Sequence, residues 1–155
     1  MSAQPQVQTP KEQALVIRQA TPADANACGK ICFEAFAILA ARHHFPADLP
    51  SPEVGVEILS EMFSHPGFFC VLAEQGGTII GSNCLDERAS IAGVGPFTVD
   101  PTAQNRIAGR ALMQAVLTRA AERKFAGTRL VQAAYHNRSL SLYTKLGFVV
   151  REPLA

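Results

Sequence analysis

Apolar and polar positions along this chain switch between a period near two and a period near 3.6, and the switches mark its elements. Residues 14–18 (ALVIR) form a short apolar run consistent with a first strand. Thr21-Pro22 then supplies a helix cap followed by a first-turn proline. Ala27, Ile31, Ala35 and Ile38 recur at helical spacing, so this helix is predicted to bury that stripe; it ends in a stretch broken by Pro46 and Pro50. A second helix is predicted over 52–64 from Val54, Ile58 and Met62, ended by His65-Pro66-Gly67. Residues 68–74 (FFCVLAE) and 78–86 (TIIGSNCLD) read as strands joined in a hairpin through Gln75-Gly76-Gly77. Residues 91–99 (IAGVGPFTV) form another strand, whose glycines and Pro96 predict a bulge or a splayed edge. The strongest helix spans 104–124, with Ala108, Ala111, Leu112, Ala115, Val116 and Arg119 on one face. A strand at 128–133, a helix at 139–146 and a last strand at 148–151 complete the order β-α-α-β-β-β-α-β-α-β. That order predicts an α/β (α+β) fold, a mixed sheet of about six strands flanked by helices.

Composition narrows the class. The chain has 155 residues, 48% of them hydrophobic and only 17% charged, enough apolar material for one packed domain over 14–155 behind a flexible polar tail at 1–13. No apolar run approaches the ~20 residues that span a bilayer, and no basic-then-apolar leader opens the chain, so a cytoplasmic protein without a membrane partner is expected. The net charge of +1 conceals an asymmetry: 9 of the 14 Lys and Arg lie beyond residue 103, with only Glu122 and Glu152 against them. Such a basic block, beginning at Arg106 and Arg110, attracts phosphates or other anions. Aromatic residues are not interleaved with it, which argues against a single-stranded nucleic-acid platform. Cys28, Cys32, Cys70 and Cys84 show no metal-ligand spacing and read as buried thiols, so no metal is expected. His43 and His44 read as loop residues.

Two segments carry candidate chemistry. In the first, a strand ends at Val99, a short turn follows, and a long helix opens near Gln104. The positive end of that helix is an anion site, with Gly109 admitting a ligand or strand close to the backbone and Arg106 and Arg110 adding charge. In the second, Asn137 is a suitable helix cap, Gly147 a helix stop, and Tyr143 either core filling or a proton donor with a pKa near 10.

Together these segments resemble the GNAT superfamily of acyl-CoA-dependent N-acetyltransferases over residues 14 to about 151. The pyrophosphate loop of that family, Q/R-x-x-G-x-G/A, is matched by Gln104, Asn105, Arg106, Ile107, Ala108 and Gly109. The later N-x-x-(A/S)-x-x-x-Y-x-(K/R)-x-G-F-like segment is matched by Asn137, Leu140, Tyr143, Lys145, Gly147 and Phe148. The resemblance implies a mostly antiparallel sheet splayed between its fourth and fifth strands, with acetyl-CoA in the splay. Phe97, Thr98 and Val99 would pair with the pantetheine arm, the segment from Gln104 to Arg110 would hold the pyrophosphate, and Asn137, Ser139 and Tyr143 would line the thioester. An acceptor amine, on a small molecule or a peptide, would attack directly, with Tyr143 as the acid and Asp86 or Glu87 as the base. Glu34, Asp48 and Glu61 favour a cationic acceptor. The alternative is a non-catalytic acyl-CoA-binding or regulatory module, the degenerate partner of an active domain. Two departures bear on that choice. Ile107 stands where the family has glycine, and the chain ends just after the expected sixth strand, lacking a final seventh. The open edge then invites pairing with a second copy or a second GNAT-like module.

Overall fold

The computed structural model describes residues 13–103 and 106–153. It contains β1 (Leu15–Gln19), α1 (Ala25–Arg42), α2 (Pro52–Ser64), β2 (Phe68–Gln75), β3 (Thr78–Asp86), β4 (Ile91–Val99), α3 (Arg106–Glu122), β5 (Gly127–Arg129) and α4 (Asn137–Lys145), with a short 3₁₀ turn at Pro22–Asp24 leading into α1. The five strands lie in chain order. Every neighbouring pair is antiparallel except β4 and β5, which run parallel. The sheet therefore has the expected mixed character with one strand fewer. No helix among the described residues is long and apolar enough to cross a membrane.

The strand alternation divides the core into two layers. Val71, Ala73, Leu85 and Ala92 face Leu112, Met113 and Val116 of α3, together with Tyr143 of α4. On the other face Cys70, Leu72 and Cys84 meet Cys28 and Cys32 of α1 and Leu59 of α2. Being covered on both faces explains why β2 reads as an unbroken apolar run rather than an alternating one. The four thiols are free and buried, and burial pushes Cys28 up to about 12 and Cys32 up to about 11. They are packing groups, not nucleophiles. Among the described residues no cluster of His, Cys, Asp and Glu is arranged to hold a metal ion.

The buried stripe of α1 departs from expectation. Its deepest residues are Ala25, Cys28, Gly29, Ile31, Cys32 and Ala40, whereas Ala27 and Ile38 are exposed. In α2 the buried pair is Gly55 and Leu59, with Ile58 exposed. Both shifts have one cause: α1 packs on α2 as well as on the sheet, and the two helices touch through glycine. A methyl group built on Gly55 would lie 2.5 Å from the carbonyl oxygen of Gly29, so the backbones are in direct contact. Of the predicted α1 stripe, Ile31 stays buried while Ala27 and Ile38 are turned outward.

Two further expectations fail for lack of a neighbour. Residues 128–133 were predicted as strand, but β5 stops at Arg129 because its partner turns aside. Between Val94 and Phe97, β4 takes three steps where β3 takes two between Leu85 and Asn83, a bulge centred on Gly95-Pro96. Residues 148–151 are not a strand either. No described strand lies beside them to complete a ladder, and Val149 and Val150 are each 73% exposed.

One ion-pair network ties the first strand to the first helix. Arg18 donates to both carboxylate oxygens of Asp24 (2.9 and 2.8 Å) and to Glu74 (2.9 Å), and Asp24 also accepts from the Thr21 N–H and hydroxyl. The guanidinium holds the Asp24 carboxyl well below the usual carboxylate range. A carboxyl depressed in the folded state contributes stability that is present above the unfolded pKa and lost as pH falls through the folded one. Urea unfolding is therefore expected to show stability falling below pH ~4, and Asp24→Asn is expected to flatten that acid limb while lowering stability at neutral pH.

Candidate active site

The wedge predicted from the glycines and Pro96 is present. β4 pairs with β5 only through Ile91, Ala92 and Gly93. From Val94 to Val99 its outer edge has no strand partner among the described residues, and the chain after β5 forms no ladder with it. Main-chain groups on such an edge are open to an extended ligand. The Thr98 side chain is buried on the opposite, α1 side of the sheet, beside the Cys32 thiol.

The wedge is closed at one end by the start of α3. Asp100 builds the preceding turn: its carboxylate accepts from the Thr102 N–H (2.8 Å) and hydroxyl (2.7 Å), while the Ala103 N–H donates to its carbonyl (3.0 Å). Gln104 and Asn105 lie outside the described residues. Arg106 begins α3, Ile107 is 72% exposed and Arg110 is exposed, so this turn faces outward at the positive end of the helix. Ala108 and Gly109 instead face the sheet. A methyl group on Gly109 would lie 3.5 Å from the Phe97 ring and 3.7 Å from Val99, ordinary contact distances. Glycine there is thus not required by the packing of α3 on β4.

The other wall is α4. Tyr143, 8% exposed, sits between the rings of Phe97 (6.2 Å) and Phe148 (5.9 Å). Burial raises its phenol pKa, and the Ser139 hydroxyl one turn earlier opposes that rise. The helix ends as expected: Gly147 takes φ +93°, its N–H donates to the Thr144 carbonyl and the Phe148 N–H donates to the Tyr143 carbonyl, a Schellman closure that brings Phe148 back against Tyr143. The expected cap at the other end is corrected. Asn137 is the first helical residue and exposed, and His136 occupies the cap position.

His136 is a residue the sequence reading passed over. Its Nε2 lies 2.8 Å from Ser139 Oγ, a contact whose only sequence signal is a His and a Ser three apart at a helix start. The loop bearing it is braced from the α1–α2 connection, where His43 and Phe45 stack on either side of Tyr135 at 4.6 and 5.0 Å between ring centres. His43 and His44 are loop residues, as read, yet one of them touches this wall of the wedge.

The two carboxylates expected as bases do not converge. Asp86 is held by Arg88 through two hydrogen bonds of 2.8 Å, which lowers its pKa, and the same guanidinium lies over the Phe68 ring at 4.5 Å. Glu87 reaches Arg119 of α3 at 2.6 and 3.1 Å. Each is engaged by an arginine rather than facing the wedge unpaired.

The family pattern described as "Acetyltransferase (GNAT) family" matches residues 35–148, most of the chain. The chain belongs to the GNAT acetyltransferase family. Solved structures agree on the fold of this family member. A transcriptional regulator from Bacillus halodurans C-125 is 20% identical with a TM-score of 0.70, over 92% of this chain and 98% of that one. A predicted acetyltransferase from Clostridium acetobutylicum, solved with acetyl-CoA, is 12% identical with a TM-score of 0.69, over 92% and 94%. An aminoglycoside acetyltransferase from an uncultured soil metagenomic sample, in complex with sisomicin, is 16% identical with a TM-score of 0.64, over 91% and 92%. No curated protein sequence matches the chain.

Proposed function

We propose that this GNAT family member transfers the acetyl group of acetyl-CoA to an amine of a small molecule or peptide, by direct attack while both substrates are bound. The observation that carries the reading is the edge of β4 from Val94 to Val99, which has no strand partner among the described residues, with Tyr143 against Phe97 on that edge. Main-chain groups of Phe97, Thr98 and Val99 pair with the pantetheine arm as an added strand. The segment Gln104, Asn105, Arg106, Ile107, Ala108, Gly109 and Arg110 receives the pyrophosphate, where the polarity of α3 and arginine charge favour an anion. Asn137, Ser139 and Tyr143 line the thioester end.

In the reaction the acceptor nitrogen bonds to the carbonyl carbon, and a backbone N–H near Thr98 stabilises the oxyanion, a donor of a kind worth about 3–4 kcal/mol. The carbon–sulfur bond then breaks with its electron pair going to sulfur, and the Tyr143 phenol proton passes to the thiolate. Its raised pKa keeps that proton in place at neutral pH. Asp86 and Glu87 are poorly suited to the base role, since arginines engage both and Arg88 acidifies Asp86. The acceptor proton therefore leaves to solvent. Exposed Glu34, Asp48 and Glu61 favour a cationic acceptor, and the likeness to a sisomicin-bound aminoglycoside acetyltransferase supports an amine-rich one.

The test is thiol release from acetyl-CoA against a panel of amines and amino acids. Turnover with any of them supports the transferase. Saturable acetyl-CoA binding without turnover would favour the alternative, a binding or regulatory module. Ile107 bears on affinity: Ile107→Gly removes an exposed branched side chain from the proposed diphosphate cradle and is expected to lower the Kd for acetyl-CoA, measured by calorimetry. An unchanged Kd would mean the diphosphate lies elsewhere.

A further inference from the structure

We propose that His136 is a positioning residue for acetyl transfer, aiming the Ser139 hydroxyl at the Tyr143 phenol. The inference rests on the acetyl-transfer reading above. Its geometry is a short chain of polar groups on one side of α4. His136 Nε2 lies 2.8 Å from Ser139 Oγ, and Ser139 and Tyr143 are one helical turn apart, the spacing at which side chains on a helix meet. The two aromatic rings against Tyr143 among the described residues, Phe97 and Phe148, offer it no hydrogen-bond donor.

The chemistry requires such a donor. When Tyr143 gives its proton to the leaving sulfur, a phenolate forms in an apolar pocket, where an unsolvated charge is costly. The Ser139 hydroxyl has one proton. If it donates to the imidazole, that proton is unavailable to the phenolate; if instead the imidazole Nε2–H donates to Ser139 Oγ, the hydroxyl proton is free to turn to Tyr143. Burial and the nearby charges of Arg138 and His43 hold His136 below its ordinary pKa, so at neutral pH it is an uncharged imidazole able to carry its proton on Nε2. The backbone that carries the ring is also held in place. The His136 N–H donates to the Ala133 carbonyl (2.9 Å), its own carbonyl accepts from the Leu140 N–H (3.1 Å), and Tyr135 beside it is clasped by His43 and Phe45.

The step balances without a further reagent. The new nitrogen–carbon bond replaces the carbon–sulfur bond, the phenol proton goes to sulfur, and the proton shed by the acceptor nitrogen returns through water to the phenolate. Ser139 and His136 keep their protons and supply only the hydrogen bond.

The chain has two tyrosines, so Tyr135→Phe leaves Tyr143 as the sole phenol and makes its carbon-13 resonance readable by NMR in the full-length protein. In that background, Ser139→Ala and His136→Phe are expected to move the Tyr143 Cζ resonance and to lower kcat about 10- to 100-fold, the scale of a hydrogen bond to a charged group. The KM for acetyl-CoA should hold in His136→Phe. Ser139→Thr and His136→Gln, which keep a donor, are expected to recover both signals; the Gln variant decides should the Phe variant misfold. An unmoved resonance in Ser139→Ala overturns the proposal, as does a raised KM with unchanged kcat in His136→Phe, which would make His136 a brace of the acetyl-CoA site and not a positioning residue for Tyr143. Absence of turnover in the parent with every amine would sink the transfer reading and the positioning role of His136 with it, while the resonance would still show whether the His136–Ser139–Tyr143 chain exists.

Discussion

Tyr143→Phe is expected to lower kcat by about 10²–10⁴-fold, the usual contribution of a positioned general acid, with little change in acetyl-CoA affinity. The substitution removes a hydroxyl and nothing else. The ring contacts with Phe97 and Phe148 persist, so the fold and the wedge between β4 and α4 are retained, and thermal melting should report a near-native protein. Because burial raises the phenol pKa, the acid stays protonated throughout the neutral range, and loss of rate from its ionisation is expected only above the ordinary range of a tyrosine phenol. Steady-state kinetics with calorimetric binding separate the two effects. Unchanged kcat would take the acid role from Tyr143 and leave it a core aromatic.

Replacing Gly29 or Gly55 by alanine is expected to produce the largest loss of stability, about 3 kcal/mol or more. In each case the new methyl would meet backbone rather than a movable side chain. On Gly55 it would sit 2.5 Å from the Gly29 carbonyl oxygen; on Gly29 it would sit 2.7 Å from the Gly55 carbonyl carbon and closer still to Val56. Helices α1 and α2 must then part, which moves the connection carrying His43 and Phe45 against Tyr135. For a protein of this size the melting temperature should fall by roughly 6–12 °C. Gly109→Ala is the matched control. Its methyl meets Phe97 and Val99 at ordinary distances, and the gain in helix propensity is up to ~1 kcal/mol. Equal losses at all three positions would mean that the α1–α2 contact is not the close one described.

Much of the fold was legible because its causes are local. The bounds of α2, β3 and β4 coincide with those read from the sequence, since each is fenced by its own signals: proline at the start of α2, the glycine hairpin before β3, the polar residues before Ile91. Gly76 and Gly77 both adopt positive φ, as the hairpin required, and Gly147 closes α4 in the left-handed region. The GNAT motifs were legible for the same reason: they are short stretches whose residue types suit a strand end, a helix opening and a helix stop.

What failed depended on partners distant in the chain. Whether 148–151 forms a strand depends on a neighbouring strand, not on its own apolar residues. The length of β5 was decided by a bulge more than 30 residues away at Gly95-Pro96, and the buried face of α1 by a glycine contact with α2. The same holds for the chemistry. Arg119 claims Glu87 across 32 residues, and Arg88 turns back on Asp86, so side chains that read as free carboxylates are ion-paired. The sequence by itself determined the order of elements as far as α4 and the irregular strand marked by its glycines and Pro96, and it left Tyr143 open between core filling and proton donor. Only the tertiary structure decided which charges are already engaged and that His136 stands at hydrogen-bonding distance from Ser139, because both are matters of proximity between side chains, which hydrophobic periodicity does not encode.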